Sequence, residues 1–171
     1  FVILSKLPEE VEPVRALAQS LRPGVPLRHA SLMRPTGIGP VTTVFYPSPN
    51  FAAEAWRRAP YGTGAYGLTG ITHTTSTQAV MEGWLNLRVS PVAEWDAVIC
   101  TSKAVLASQE AQQDMADDYL RARFGNTPPR PVMPVIPLGI TPKDYSHDPE
   151  ARTRLRNRMS LGKKDIVIYI L

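Results

Sequence analysis

Apolar positions along the chain switch between two periods, and the switches mark out its elements. Residues 1–4, Phe1-Val2-Ile3-Leu4, are continuously apolar and read as a buried strand. From Val11 the period lengthens. Val11, Val14, Leu17, Ala18 and Leu21 share one helical face, Pro13 is tolerated in the first turn, and Pro23-Gly24 closes the helix. A short strand is predicted over residues 27–32 and a stronger one, β-branched and aromatic, over 41–46. Ser48-Pro49 predicts a helix start, a hydroxyl over open amides followed by a proline of suitable φ. That helix runs through Trp56 and closes near Arg57 and Arg58, whose charge suits the dipole.

The same alternation continues through the second half. A strand is predicted over residues 68–72, a polar turn over 73–77, and a helix with Val80, Trp84 and Leu87 on its inner face. Residues 97–101 form the next strand, capped into a long helix by Ser102 and stopped by Gly125. Val105, Leu106, Met115, Tyr119, Leu120 and Phe124 are expected to face inward on that helix. Residues 132–136 are extended but interrupted by Pro134, which places them at an edge or a bulge. Asp148-Pro149 opens a last helix with Ala151, Leu155 and Met159 in its apolar row, and Ile166 begins a final strand. Strands alternating with helices predict an α/β fold, a Rossmann-like parallel sheet with helices on both faces. Ligands of such sheets sit beyond the carboxyl ends of the strands, which directs attention to the loops that follow them.

Composition narrows this picture. A hydrophobic share of 43% supplies a core. No apolar run approaches the length of a membrane span, and residues 1–4 are too few for a signal-peptide core. The chain opens on Phe1, without Met and in mid-strand, so an incomplete start is expected. The single cysteine, Cys100, lies in an apolar run and reads as a buried small hydrophobe, which fits a reducing, cytoplasmic setting. The net charge of +4 suits an anionic partner, but Arg152, Arg154, Arg156, Arg158, Lys163 and Lys164 concentrate it on what reads as a solvated helix. That helix has no interleaved aromatics, so nucleic acid is not the expected partner.

The last six residues, Ile166-Val167-Ile168-Tyr169-Ile170-Leu171, are all apolar. Their burial would be worth about 10 kcal/mol, comparable to the stability of a whole domain. They are expected to be the first strand of a second domain, cut off just as it begins. Residues 1–141 then form the first domain, and 142–171 a linker, a helix and that strand.

Three stretches in this order resemble the retaining glycosyltransferases of the GT-B fold, family four. Asp96-Ala97-Val98-Ile99-Cys100-Thr101-Ser102 is similar to the family's strand and helix-capping serine. Val135-Ile136-Pro137-Leu138-Gly139-Ile140 resembles its Ile-Pro-Asn-Gly turn, with Leu138 where Asn is usual. The basic helix from Arg152 and the run from Ile166 resemble the opening of the donor domain. The resemblance covers the chain from Leu68 onward. It implies that this chain is the acceptor-side half of a two-domain enzyme moving a sugar from a nucleotide-sugar donor with retention of configuration. It implies no metal and no cofactor, a sugar, lipid or other small acceptor, and a cytoplasmic place compatible with peripheral membrane contact. The phosphate-binding residues of the donor half would lie beyond Leu171, so the fragment alone is expected to be inactive.

His73 is the leading catalytic candidate. Its imidazole stands at the carboxyl end of a strand among small polar residues, where it can donate a hydrogen bond or carry charge near neutral pH. In similar transferases a histidine at this strand end faces the cleft. Thr72, Thr74 and Thr75 are candidate contacts to acceptor or donor, while Ser76 or Thr75 is expected to cap the following helix. Ser102 reads as a cap with no triad partner, His29 and His147 lie in loops, and no spacing suits a metal. Gly62, Gly64, Gly67 and Gly70 match no phosphate loop and read as a mobile segment. Trp56, Trp84 and Trp95 read as core. The alternative is a non-catalytic ligand-binding or regulatory α/β domain that uses the same cleft only to bind.

Overall fold

The computed structural model describes residues 1–38, 41–145, 148–162 and 164–168. They divide into two compact units, Phe1–Pro137 and Leu138–Leu171. His147, Lys163 and the last three residues of the apolar tail lie outside the described residues.

The first unit is α/β with parallel strands throughout. β1 (Val2–Ser5) pairs with β2 (Arg28–Ser31) in a two-stranded sheet, Leu4 opposite Ala30. β3 (Thr43–Tyr46), β4 (Gly67–Ile71) and β5 (Ala97–Ile99) form a second sheet in that order. The sequence predicts one sheet, and the described strands make two smaller ones.

The stretch near Pro134 lies along β5 as expected. Val132 and Val135 bridge to Ala97 and Cys100 in parallel sense, so hydrogen bonding brackets the proline that has no N–H to give. The amides of Val98 and Cys100 donate to the carbonyls of Val132 and Pro134 at 2.8 and 2.9 Å.

Helix α1 (Glu12–Leu21) follows a single 3-10 turn at Pro8–Val11, and α2 (Ala52–Arg58), α3 (Gln78–Arg88) and α4 (Lys103–Phe124) follow later strands. Ser102 caps α4 by accepting the Val105 N–H at 3.1 Å, and Gly125 ends it in the left-handed region at φ 77°. The other expected caps differ. The Ser48 hydroxyl accepts the Asn50 N–H at 3.2 Å and closes a tight turn, so α2 starts only after Phe51, a buried ring that anchors its first turn. For α3 the N-cap is Thr77, without a side-chain bond, rather than Ser76 or Thr75.

Phe51, Ala55, Leu68, Trp84, Leu87 and Val98 form the centre of the core, which sits between the three-stranded sheet and helices α2 and α3. Trp56 and Trp95, expected in the core, are exposed. Helix α1 buries none of its residues: Val14, Leu17 and Leu21 are exposed, and Val11 in the preceding turn is the buried member of the row. A two-stranded sheet is too narrow to cover a whole helical face.

The long helix α4 is turned only in part as expected: Leu120 is buried and Val105 and Leu106 are half-buried, but the other apolar positions face out. It buries Gln109, Gln113, Ala116, Asp117 and Leu120, while Met115, Tyr119 and Phe124 are exposed. Asp117 sets the rotation. Its carboxylate accepts Nε of Arg88 at 2.6 Å and Nε of Arg130 at 2.7 Å. Arg88 also donates to the carbonyls of Pro128 and Pro129, tying the chain after α4 to α3. With Asp117 turned inward, helical geometry carries residues 113, 116 and 120 with it and leaves 115 and 119 outside.

In the second unit α5 (Ala151–Arg158) begins after Asp148, which accepts the amides of Glu150 and Ala151 at 2.9 and 3.1 Å. Arg154 also pairs with Asp148 and, with two backbone amides, holds that carboxyl below its ordinary range. Gly162 and Asp165 close the expected turn. Ile166, Val167 and Ile168 form no strand among the described residues and are exposed.

Candidate functional site

Parallel pairing brings the carboxyl ends of β3, β4 and β5 to one edge, since Tyr46 lies opposite Gly70 and Ile71 opposite Ile99. The loops that leave this edge are residues 47–51, 72–77 and 100–102. His73 and Thr74 are exposed on the middle one, and Thr75 is half-buried beside them. The strand ends at Ile71, one residue before the sequence places its end, with the imidazole on an accessible ledge.

Thr72 has a different role from its neighbours. It is fully buried, its amide donates to the Ile99 carbonyl at 2.9 Å, and its hydroxyl lies 3.2 Å from the same oxygen. The hydroxyl also accepts the Thr101 N–H at 3.1 Å. These bonds extend the β4–β5 ladder one residue past the strands. Thr72 therefore fixes the root of the loop rather than facing a ligand.

Two glycines, read from sequence as part of a mobile segment or not singled out, hold the ledge from below. Gly70 is inside β4, and a Cβ there would meet the Ser48 carbonyl oxygen at 2.5 Å and the Phe51 ring at 2.8 Å. The loop after β3 lies flat against β4 because that position carries no side chain. At Gly83 a Cβ would collide with the Asn50 side-chain amide, whose Nδ2 donates to the Ala79 carbonyl at 2.8 Å. Asn50 thus ties the loop after β3 to the first turn of α3, the helix that ends the His73 loop. Nothing in the sequence singles Asn50 out, because the contact spans 29 residues.

A buried clasp anchors the opposite, amino end of the same sheet. Arg58 forms a double hydrogen bond with Asp96, both contacts 2.6 Å and both side chains inaccessible. Asp96 also accepts the amides of Leu68 and Ala93, each at 2.8 Å, and Arg58 donates to the carbonyls of Tyr66 and Pro91. Arg58, in the last turn of α2 as expected, is also the cation that Asp96 requires.

Near this end, burial pushes the Tyr66 phenol above its ordinary value, with the Glu54 charge adding to the effect. Burial likewise pushes the Cys100 thiol up, consistent with an inert core residue.

No family model, no curated protein and no solved structure matches the chain. Among the described residues, no three His, Cys, Asp or Glu side chains gather as a metal site, and no helix is long and apolar enough to cross a membrane. The edge presents the exposed His73 imidazole with the exposed hydroxyls of Thr74, Ser76 and Thr77 and the half-buried one of Thr75, on a loop braced at both ends.

Proposed function

We propose that this chain is the acceptor-side half of a retaining GT-B glycosyltransferase that uses a nucleotide-sugar donor. The observation that carries the reading is His73, exposed at the carboxyl end of the central strand of a parallel sheet, on a loop rooted by Thr72 and followed by the helix that Asn50 anchors. The resemblance of residues 96–102 to the family's strand and capping serine supports it, since Ser102 does cap α4. So does the resemblance of residues 135–140, which leave the edge of the same sheet beside β5.

In this reading His73 donates a hydrogen bond to the transferred sugar or its acceptor, and Thr74 and Thr75 hold neighbouring hydroxyls. Basic residues of a donor half would neutralise the diphosphate, and no metal is called for. The protein would work in the cytoplasm, with an acceptor that is a sugar, a lipid or another small molecule.

The test is transfer from nucleotide sugars by a protein joining this chain to a donor half, compared with its His73→Ala variant. Loss of turnover by about 10²–10⁴-fold, with unchanged circular dichroism, is expected of a group acting on the transferred sugar. Full turnover in the variant with weakened acceptor binding would favour the non-catalytic binding domain. Full turnover with unchanged binding would remove His73 from the site.

A further inference from the structure

The loop that carries His73 is held from outside rather than by bonds of its own. Among the described residues, His73, Thr74, Thr75 and Ser76 make no hydrogen bond through backbone or side chain, so the course of the loop follows its two ends. At the near end Thr72 is fixed to Ile99 and Thr101. At the far end α3 begins, and none of Gln78, Ala79, Val80 and Met81 is buried. We propose that Asn50 is a positioning residue for His73, fixing the first turn of α3 and with it the far end of the loop.

The bond from the Asn50 Nδ2 to the Ala79 carbonyl, 2.8 Å long, reaches this turn from outside the helix and its cap. Its seat admits no other side chain. A Cβ on Gly83 would lie 2.1 Å from the Cγ and Oδ1 of Asn50, so the amide rests on bare helix backbone. The Asn50 Oδ1 is buried without a partner among the described residues, which is a cost. The orientation holds nonetheless, because turning the amide over would set that oxygen against the Ala79 carbonyl.

The same short segment also bears on the strand before His73. The Ser48 carbonyl oxygen and the Phe51 ring stand 2.5 and 2.8 Å from where a Cβ on Gly70 would be. Residues 48–51 are thus wedged between β4 and α3, the two elements that the His73 loop joins, and set the span that the loop must cross. The rest of α3 is held by Trp84 and Leu87 in the core and by the Arg88–Asp117 pair. Loss of the Asn50 bond therefore frees the first turn without unfolding the helix.

Two variants test this from opposite sides of the contact. Asn50→Ala removes the donor. Gly83→Ala drives the Asn50 amide off the helix, and since alanine suits a helix better than glycine, it remains a test even where Asn50→Ala folds poorly. In both, the His73 ring resonance, assigned by its loss in His73→Ala, should shift and broaden by μs–ms exchange while that of His29 stays in place. Asp96→Asn, which loosens the other end of the sheet, should leave the His73 resonance unmoved. An unmoved His73 resonance in either contact variant would overturn the proposal. So would an equal change in Asp96→Asn, which would make the effect one of general loosening. The consequence for turnover rests on the glycosyltransferase reading above. In the protein joined to a donor half, Asn50→Ala should lose about 10²-fold in kcat, the scale of a reacting group misplaced by about 1 Å. Full kcat in Asn50→Ala beside a lost kcat in His73→Ala would overturn the positioning role. Full kcat in both would remove His73 from the chemistry and leave the resonances to decide the positioning.

Discussion

Four donors converge on the carboxylate of Asp96: two from the Arg58 guanidinium and the backbone amides of Leu68 and Ala93. Burying this pair carries a large desolvation cost that the four hydrogen bonds offset, and removing one charge leaves the other stranded. Asp96→Asn is therefore expected to destabilise the first unit by about 3–5 kcal/mol, read as a lower urea midpoint with little change in slope. If Asn were tolerated within about 1 kcal/mol, Arg58 would have another route to solvation.

Neighbouring hydroxyls at the other end of the sheet diverge just as sharply. Thr72 and Thr74 are alike in sequence, yet one is inaccessible and bonded across to Thr101 while the other is free on the surface. The His73 ledge depends on that division, since the buried hydroxyl holds the loop that the exposed groups decorate.

Helix α4 shows where reading elements from periodicity succeeds and where it stops. Its start at Ser102 and stop at Gly125 are local events, a hydroxyl over amides and a residue free to take positive φ, and both are legible in the sequence. Its rotation is not local. Arg88, 29 residues away, pulls Asp117 inward and turns Met115 and Tyr119 out, against the apolar pattern. The same limit explains Asn50, Gly83 and Arg58, whose partners are distant in the chain. Ser48 differs for a local reason, since its hydroxyl is taken by its own turn before α2 begins.

The rotation has a cost inside the helix. Gln109 is wholly buried, and neither its amide nitrogen nor its oxygen has a hydrogen-bond partner among the described residues. Gln109→Leu should thus raise stability by about 1–3 kcal/mol, seen as a higher urea midpoint. A lower midpoint would mean that ordered water satisfies the amide.

Taken as a whole, the chain is uneven. Phe1–Pro137 has a core, whereas no described residue of Leu138–Leu171 is buried. A segment this short rarely supports itself without further contacts. Limited proteolysis is expected to cut first beyond Pro137 and leave a fragment of residues 1–137 whose thermal midpoint matches that of the intact chain. Early cuts within α4 instead would place the weakest part of the molecule in the first unit.

One bond described above also reports on the whole of that unit. The Leu68 N–H points at a carboxylate shut away with its guanidinium, and it is shared by α2, the amino end of β4 and the turn before β5. No fraying of a single segment can bring water to that hydrogen. Its exchange with deuterium should therefore follow global opening of the sheet, making one amide a clock for how often the unit comes apart.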